Sequence, residues 1–158
     1  EELEQFALND SMTGMYNRNA YDYFVKNEKD FEGYVIVTFD LNNLKQCNDQ
    51  YGHRAGDEYI INAAHIIEDN FERYGKCYRI GGDEFCCIIP KGRYFKIERV
   101  MHKIDQDVEI LNHKNIIPVP VGIAYGYAVF TADDTDPEKV RERADKDMYR
   151  NKKTMKQS

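Results

Sequence analysis

The sequence predicts an α/β sandwich in which a mainly antiparallel sheet is covered by helices. Three observations support this. The apolar patterns follow the order helix, strand, two helices, hairpin, helix, strand, helix, which is typical of a layered α/β domain. Two short apolar runs are joined by Gly81–Glu84, and such a glycine-opened link predicts a hairpin and therefore antiparallel strands. Finally, 158 residues with 42% hydrophobic content suffice for one core and hardly for two.

Each element has a local signal. Apolar residues spaced three and four apart indicate helices, short β-rich runs indicate strands, and glycine or acidic turns separate them. The predicted elements are, in chain order, a helix from Asn17 closed by Gly33, a strand over 34–39, helices over about 41–51 and 57–71 flanking the turn 52–56, a hairpin of 77–80 and 85–89, a helix over 94–111, a strand region over 119–130 and a last helix over about 137–154.

Charge and composition exclude several classes of protein. The formal net charge of −6 argues against a protein that holds a long nucleic acid by its phosphates, because such proteins carry a basic face. No apolar run of eighteen residues and no secretory signal is present, so we expect no membrane contact by this stretch of chain. A small anionic substrate remains compatible with the charge.

The four cysteines are predicted to be buried free thiols. They include no C-x-x-C pair, and Cys86 and Cys87 are direct neighbours in an apolar run, where they point to opposite faces of a strand. A reducing, cytoplasmic compartment fits this usage better than a disulfide framework or a zinc site.

Two aspartates fall at predicted strand tips. Asp40 follows the run 34–39, and Asp83 lies in the hairpin turn. Two carboxylates beside bound phosphates suit Mg²⁺, which keeps waters and takes few protein ligands. The alternative is that Asp40 caps the next helix and Asp83 is an ordinary turn residue.

Polar residues after Asp40 extend this pattern. A helix beginning there would direct the amides near Asn43 and Leu44, with Lys45 close by, at an anion. Lys45 is otherwise a solvated helix residue. Asn48 and Asp57 carry the donors and acceptors that match a guanine edge, although each alone is more simply a surface or capping residue.

These residues belong to four blocks that together resemble one known family. Gly81–Phe85 reads GGDEF and lies within YRIGGDEF from Tyr78. The segment DSMTGMYNR from Asp10 is similar to the family's opening D-x-L-T-G-L-x-N-R. FDLNNLKQCNDQYGHRAGD from Phe39 resembles its central block, and ADKDMYRNKK from Ala144 resembles its closing helix. The chain is thus identified as similar to the GGDEF domains of diguanylate cyclases over 10–158, with 1–9 as the end of a linker or signalling helix.

The resemblance implies a fold like that of nucleotidyl cyclases and polymerase palms, with a ferredoxin-like core, and it implies roles for individual residues. Asp40, Asp83 and the carbonyl of Leu41 would hold Mg²⁺ or Mn²⁺. The remaining implied roles are phosphate binding by Lys45 and the amides of Asn43 and Leu44, guanine recognition by Asn48 and Asp57, contact with the terminal phosphates by Lys152 and Lys156, and support of the metal or the reacting hydroxyl by Glu84.

The implied reaction is the condensation of two GTP into cyclic di-GMP. Because each domain would bind one GTP, the resemblance implies a homodimer of two half-sites, with an N-terminal sensory or regulatory domain in a longer protein. The absence of an initial methionine agrees with a domain taken from a longer chain. The alternative is a catalytically idle domain that binds GTP or cyclic di-GMP as a regulatory module. If the chain were a structural domain that binds no ligand, the presence of all four blocks together would be a coincidence.

The chain departs from the family's pattern at three places. Glu72–Gly75 stands where many relatives carry an inhibitory Arg-x-x-Asp motif, so feedback inhibition by product at that position is not expected. Lys156 replaces an arginine and loses its bidentate fork, which predicts weaker phosphate binding. Asn42 stands where an acidic residue is frequent.

Overall fold

The computed structural model describes residues 7–93 and 96–157, with side chains described as far as Asn151. Five helices and four strands lie in these residues. In chain order they are α1 (Arg18–Asn27), β1 (Val35–Asn42), α2 (Leu44–Tyr51), α3 (His53–Phe71), β2 (Lys76–Arg79), β3 (Glu84–Ile89), α4 (Ile97–His113), β4 (Gly122–Val129) and α5 (Pro137–Gln157). The predicted linker helix lies mostly in residues 1–6, outside the described part, while residues 7 and 8 are helical.

The four strands form one antiparallel sheet in the order β2-β3-β1-β4. Strand β1 lies at the centre and pairs with β3 on one side and β4 on the other. The predicted hairpin is present as β2 and β3, with Cys77 opposite Cys87. The mainly antiparallel sheet and its central strand are therefore as predicted.

Helices cover both faces of the sheet, and each face has its own apolar core. One core lies under α2, α3 and α4 and includes Phe39, Ile67 and Phe85. The other lies under α1 and α5 and includes Tyr21 and Ile36. The alternation of side chains along each strand sends neighbours to different cores. Cys86 and Cys87 are separated in this way, and all four cysteines are buried free thiols, as predicted.

Helix α1 is shorter than predicted. Its start agrees, because the Asn17 side chain accepts a hydrogen bond from the amide of Ala20 and caps the first turn. The helix ends at Asn27 rather than near Gly33. Residues 28–33 form turns instead, where Phe31 stacks on Phe130 with ring centroids 5.0 Å apart. The burial of Phe31 against the end of β4 overrides the helical pattern.

Strand β1 is longer than predicted, and α2 begins later. Pairing with β4 extends β1 through Leu41 and Asn42, so the helix starts at Leu44 and not at Leu41. Asn43 joins the two elements with φ 66° in the left-handed region, which asparagine tolerates better than most residues. We call residues 42–44 the β1–α2 corner.

The turn between α2 and α3 is a single residue. Gly52, with φ 90°, makes the break alone, and α3 starts at His53 instead of Asp57. The remaining differences are at element ends. Helix α4 spans Ile97–His113, β4 begins at Gly122 and ends at Val129, β2 and β3 each begin one residue early, and α5 extends to Gln157.

Gly126 in β4 allows α5 to approach the sheet closely. A Cβ atom at this position would overlap the backbone of Ala144 and Met148 in α5. Because backbone atoms cannot rotate away, we expect Gly126→Ala to lower the free energy of unfolding by about 3 kcal/mol or more. Urea unfolding measures this.

Gly82→Ala is the matched control, since nothing lies within 4 Å of the place that a Cβ atom would take there. We expect it to change the free energy of unfolding by less than about 0.5 kcal/mol. Equal losses in the two variants would contradict the close packing of α5 on β4.

Candidate active site at the end of β1

The end of β1 brings carboxylates together. Asp40 is half-buried and lies opposite Glu84 in the β1–β3 register, so both side chains point to the same face of the sheet. Asp83 precedes Glu84 in the hairpin turn and is exposed. All three line one cleft of about 230 Å³. Like charges directly across a sheet repel, and a bound cation would relieve this repulsion.

Helix α5 supplies further charged groups to this cleft. Arg141 and Asp145 line it together with Met148. Withdrawal of the Asp145 carboxyl from water raises its pKa, as does the charge of Asp40, whereas Thr38 and Arg141 lower it. Arg141 is held in place by a 2.6 Å ion pair with Glu138. The cleft thus remains rich in carboxylates with one already paired guanidinium.

Arg141 and Asp145 were not among the residues predicted from the sequence. A signal was present, because positions 141, 145, 148 and 152 follow one another at helical steps of four, three and four residues and so share a helix face. Lys152 and Lys156 lie within α5, but their side chains are outside the described part of the structure.

Arg79 fixes the turn that carries Asp83. Its Nε and Nη2 atoms donate to the Gly82 carbonyl at 3.3 and 2.9 Å, and its Nη1 donates to the two carboxylate oxygens of Asp10 at 3.2 and 3.1 Å. Asp10 also accepts from the Thr13 amide and hydroxyl at 2.9 and 2.8 Å. The opening block therefore positions the hairpin turn, a role that was not predicted from the sequence.

The β1–α2 corner presents helix amides and a cation. The amides of Asn43 and Leu44 lie at the N-terminus of α2, where they have no partners within the helix. Lys45 is exposed in the first turn. The Asn43 side chain donates to the Pro120 carbonyl at 3.1 Å, which anchors the corner to the segment before β4. Helix amides with a lysine close by favour the binding of an anion.

Asn48 and Asp57 lie on the facing helices α2 and α3. Gly56, next to Asp57, is so close to Asn48 that a Cβ atom would overlap the Asn48 amide oxygen. The absence of a side chain at Gly56 thus allows the two helices to pack at this point. Asp57 is exposed and Asn48 half-buried, so both polar groups are accessible.

The residues present fit a hard divalent cation. Asp40 and Asp83 offer two carboxylates, and Leu41, whose side chain is buried in the core, can offer only its carbonyl. This donor set is the kind that Mg²⁺ completes with substrate phosphates and waters. No group of three or more His, Cys, Asp or Glu side chains in the described residues is arranged as a metal site by itself.

Comparison with known families identifies the fold. The profile of the family described as "Diguanylate cyclase, GGDEF domain" matches residues 7–158. The chain belongs to the GGDEF family. The resemblance rested on four sequence blocks, which the structure places at the contact of Asp10 with Arg79, at the end of β1 with the corner, at the hairpin and in α5.

Curated relatives of this GGDEF domain carry different names. Diguanylate cyclase DgcS of Shewanella oneidensis is 29% identical over 96% of this chain and 52% of that protein. Cyclic di-GMP phosphodiesterase PdeR of Escherichia coli is 29% identical over 94% of this chain and 23% of that protein. The chain thus spans about half or less of the length of these relatives.

Solved structures agree with the fold. The coiled coil and GGDEF domain of DgcB from Caulobacter crescentus, solved in complex with c-di-GMP, superimposes with a TM-score of 0.78 at 24% identity, covering 97% of this chain and 84% of that one. The predicted palm-like cyclase fold is confirmed. Of the helices described here, none combines the length and the apolar character needed to cross a membrane.

The contact between Asp10 and Arg79 should make stability depend on acid pH. Burial raises the pKa of Asp10, but the hydrogen bonds from Thr13 and Arg79 and the charge of Arg79 outweigh it, so the pKa lies below its ordinary value. The stabilisation is complete above the unfolded-state value of about 3.9 and is lost as the pH falls through the folded value. We expect Asp10→Asn to cost about 1–2 kcal/mol at pH 7.

Urea unfolding of wild type and Asp10→Asn between pH 7 and pH 3 checks this, and the difference should shrink as the pH falls. Asp22→Asn is the control, because Asp22 pairs with Arg18 on an exposed helix surface, where ion pairs contribute under about 0.5 kcal/mol. A difference for Asp10→Asn that stays constant down to pH 3 would contradict the assignment.

Proposed function

We propose that this GGDEF domain is a diguanylate cyclase that condenses two GTP into cyclic di-GMP and two pyrophosphates. The observation that carries the proposal is the shared cleft of Asp40, Asp83 and Glu84, which lies at the end of β1 just before the corner with its helix amides. A cation and a triphosphate have matching partners there. The intact set of Asp40, Lys45, Asn48, Asp57, Asp83 and Glu84 supports turnover over binding alone.

In the proposed reaction the 3′-hydroxyl of one GTP attacks the α-phosphorus of another. A new P–O bond forms, the bond from the α-phosphorus to its bridging oxygen breaks, and pyrophosphate leaves. The hydroxyl proton passes to a carboxylate, for which Asp83 and Glu84 are the candidates in the cleft. The same step with the two nucleotides in exchanged roles closes the ring.

Mg²⁺ or Mn²⁺, bound by Asp40, Asp83 and the Leu41 carbonyl, would supply neutralisation of phosphate charge and activation of the hydroxyl. The protein's own groups orient the triphosphate. The amides of Asn43 and Leu44 bind phosphate oxygens at the α2 N-terminus, and Lys45 stabilises the charge that develops during transfer.

The guanine base and the terminal phosphates of GTP have proposed partners as well. Asn48 and Asp57 recognise the guanine edge, with the Asp57 carboxylate accepting from N1–H and the exocyclic amine. Lys152 and Lys156 on α5 contact the terminal phosphates. Lys156 does so as a point charge, because lysine lacks the planar fork of arginine.

Catalysis requires two domains to face each other, because each holds one GTP. We therefore propose a homodimer of half-sites, formed in the cytoplasm under the control of an N-terminal domain in a longer protein. The alternative is a regulatory domain that binds GTP or cyclic di-GMP without turnover. The similarity to PdeR, a protein named as a phosphodiesterase, is the observation that keeps this alternative open.

Turnover is tested by incubating the domain at high concentration with GTP and Mg²⁺ and identifying products by mass spectrometry. We expect cyclic di-GMP from the wild type and an at least 100-fold lower rate from Asp83→Ala, because a proposed metal ligand and candidate proton acceptor is lost. Asp133→Ala, another exposed turn aspartate, should retain the wild-type rate.

If GTP binds but no product forms, the incubation is repeated with the domain fused to a dimeric coiled coil, which forces two copies together. Product from the fused dimer would establish a cyclase that depends on dimerisation. Continued absence of product would overturn the proposed activity in favour of the regulatory alternative.

Guanine recognition predicts a change in nucleotide preference. We expect Asp57→Ala to weaken GTP binding about 10-fold or more and to leave the weaker ATP binding unchanged, since charged hydrogen bonds to the guanine edge are lost. Calorimetric titration with both nucleotides measures this. Glu58→Ala, the exposed neighbour on the same helix, is the control. An unchanged preference for GTP in Asp57→Ala would rule out the assigned role.

A further inference from the structure

We infer that Tyr59 and Asn112 are positioning residues that hold the β1–α2 corner in its phosphate-binding shape by clamping residues 120–122 beside it. The inference rests on the proposed function, in which this corner binds the GTP phosphates. Neither residue touches the carboxylate cleft, and neither belongs to the four blocks of the sequence that carry the resemblance, except that Tyr59 follows the central block by two positions.

The Tyr59 hydroxyl joins three elements. Its ring is fully buried in α3, and its hydroxyl donates to the Asn42 carbonyl at 2.5 Å and lies 3.1 Å from the Gly122 carbonyl. The same oxygen accepts from the Gly122 amide at 3.0 Å. Burial raises the pKa of Tyr59 to about 12, so the donor keeps its proton near neutral pH. The hydroxyl thus ties the end of β1 to the start of β4.

Asn112 restrains Val121, the residue before Gly122, by hydrogen bonds to its backbone. Its Oδ1 accepts from the Val121 amide at 2.8 Å, and its Nδ2 donates to the Val121 carbonyl at 3.0 Å. Both backbone polar groups of Val121 are satisfied by one side chain, as a neighbouring strand would satisfy them. Asn112 lies near the end of α4, so this helix is connected to the segment.

The clamped segment in turn supports the corner. Pro120 accepts the hydrogen bond from the Asn43 side chain, and Gly122 lies so close to Asn42 that a Cβ atom would come within 2.9 Å of Asn42 Nδ2. Asn43 has φ 66°, a left-handed conformation that asparagine adopts more readily than most non-glycine residues but that is still less favourable than the right-handed one, so restraint from its surroundings helps to hold it. The contacts to residues 120–122 provide that restraint.

This geometry decides where the amides of Asn43 and Leu44 point. If the clamp loosens, Asn43 can relax out of the left-handed region, the first turn of α2 frays, and the amides lose their alignment toward a phosphate. Misplacement by about 1 Å is enough to weaken preorganised binding substantially. Tyr59 and Asn112 therefore act on GTP through the corner and not by contact.

The test compares Tyr59→Phe with Tyr34→Phe, in which a part-buried tyrosine hydroxyl that bonds Glu28 at 3.3 Å is removed far from the corner. Affinity for a non-hydrolysable GTP analogue with Mg²⁺ is measured by calorimetry at 25 °C. We expect Tyr59→Phe to bind the analogue about 5- to 30-fold more weakly. The reason is that the hydrogen bonds of the hydroxyl to Asn42 and Gly122, which hold the corner, are lost. Tyr34→Phe should bind as the wild type does.

Asn112→Ala tests the clamp from a second element. We expect it to weaken analogue binding in the same direction as Tyr59→Phe, whereas Asn62→Ala, which removes an exposed helix-surface amide that bonds the Glu58 carbonyl, should not. Urea unfolding confirms that every variant is folded at 25 °C, so a general loss of stability cannot mimic weaker binding.

Amide exchange gives a readout that needs no nucleotide. The Cys47 amide donates to the Asn43 carbonyl at 2.9 Å and reports the first turn of α2. We expect its exchange to be faster in Tyr59→Phe and Asn112→Ala than in wild type, Tyr34→Phe and Asn62→Ala. Unchanged exchange in both clamp variants would overturn the inference, as would unchanged affinity.

The proposed cyclase activity and the proposed role of Tyr59 and Asn112 can be refuted independently of each other. A wild type that binds the analogue without making cyclic di-GMP would refute the proposed activity and leave the clamp to be judged on affinity. A wild type that binds no nucleotide would refute the proposed substrate, and Cys47 exchange would still show whether Tyr59 and Asn112 hold the corner.

Discussion

Strand β1 lies between β3 and β4 and is covered by helices on both faces, so its backbone must be paired within the sheet and its side chains must be apolar. Thr38 is a buried polar exception, and Asp40, which is half-buried, is the first charged residue along the strand. Because β3 runs antiparallel, the hairpin turn with Asp83 returns to the same end. The carboxylates meet there as a consequence of the central position of β1, and the cleft, the corner and the cover of α5 are arranged around that point.

Polar contacts from distant segments then fix the parts that the sheet does not. Arg79 ties the hairpin turn to Asp10, and Tyr59 and Asn112 tie the start of β4 to the end of β1. These contacts hold backbone in turns and in a left-handed residue, which local preference alone would not maintain. Loops that carry function on a rigid sheet are typically restrained in this manner.

Membership of the GGDEF family and catalytic activity are separate statements. The family profile and the superposition establish the fold, but relatives of similar identity are named both as cyclases and as a phosphodiesterase. A fold can host several functions, so turnover has to be inferred from the site. In this chain the cleft is lined by three carboxylates and the corner presents the amides at the start of α2, and the proposed activity rests on these two features.

The sequence by itself determined the element order, the antiparallel hairpin and the buried free cysteines, and it supplied the proposed roles of Asp40 and Asp83, because periodicity, glycine turns and side-chain chemistry are local properties. Its local signals predicted an end of β1 that is too early and a start of α3 that is four residues late. The exact end of β1 depends on pairing with β4, about eighty residues away, and the early start of α3 depends on Gly52 turning the chain alone. Only the tertiary structure decided that Arg79 meets Asp10, that α5 brings Arg141 and Asp145 to the cleft, and that Tyr59 and Asn112 restrain the corner. Such contacts join segments far apart in the chain, and no local pattern encodes which distant partners will meet when the two cores close.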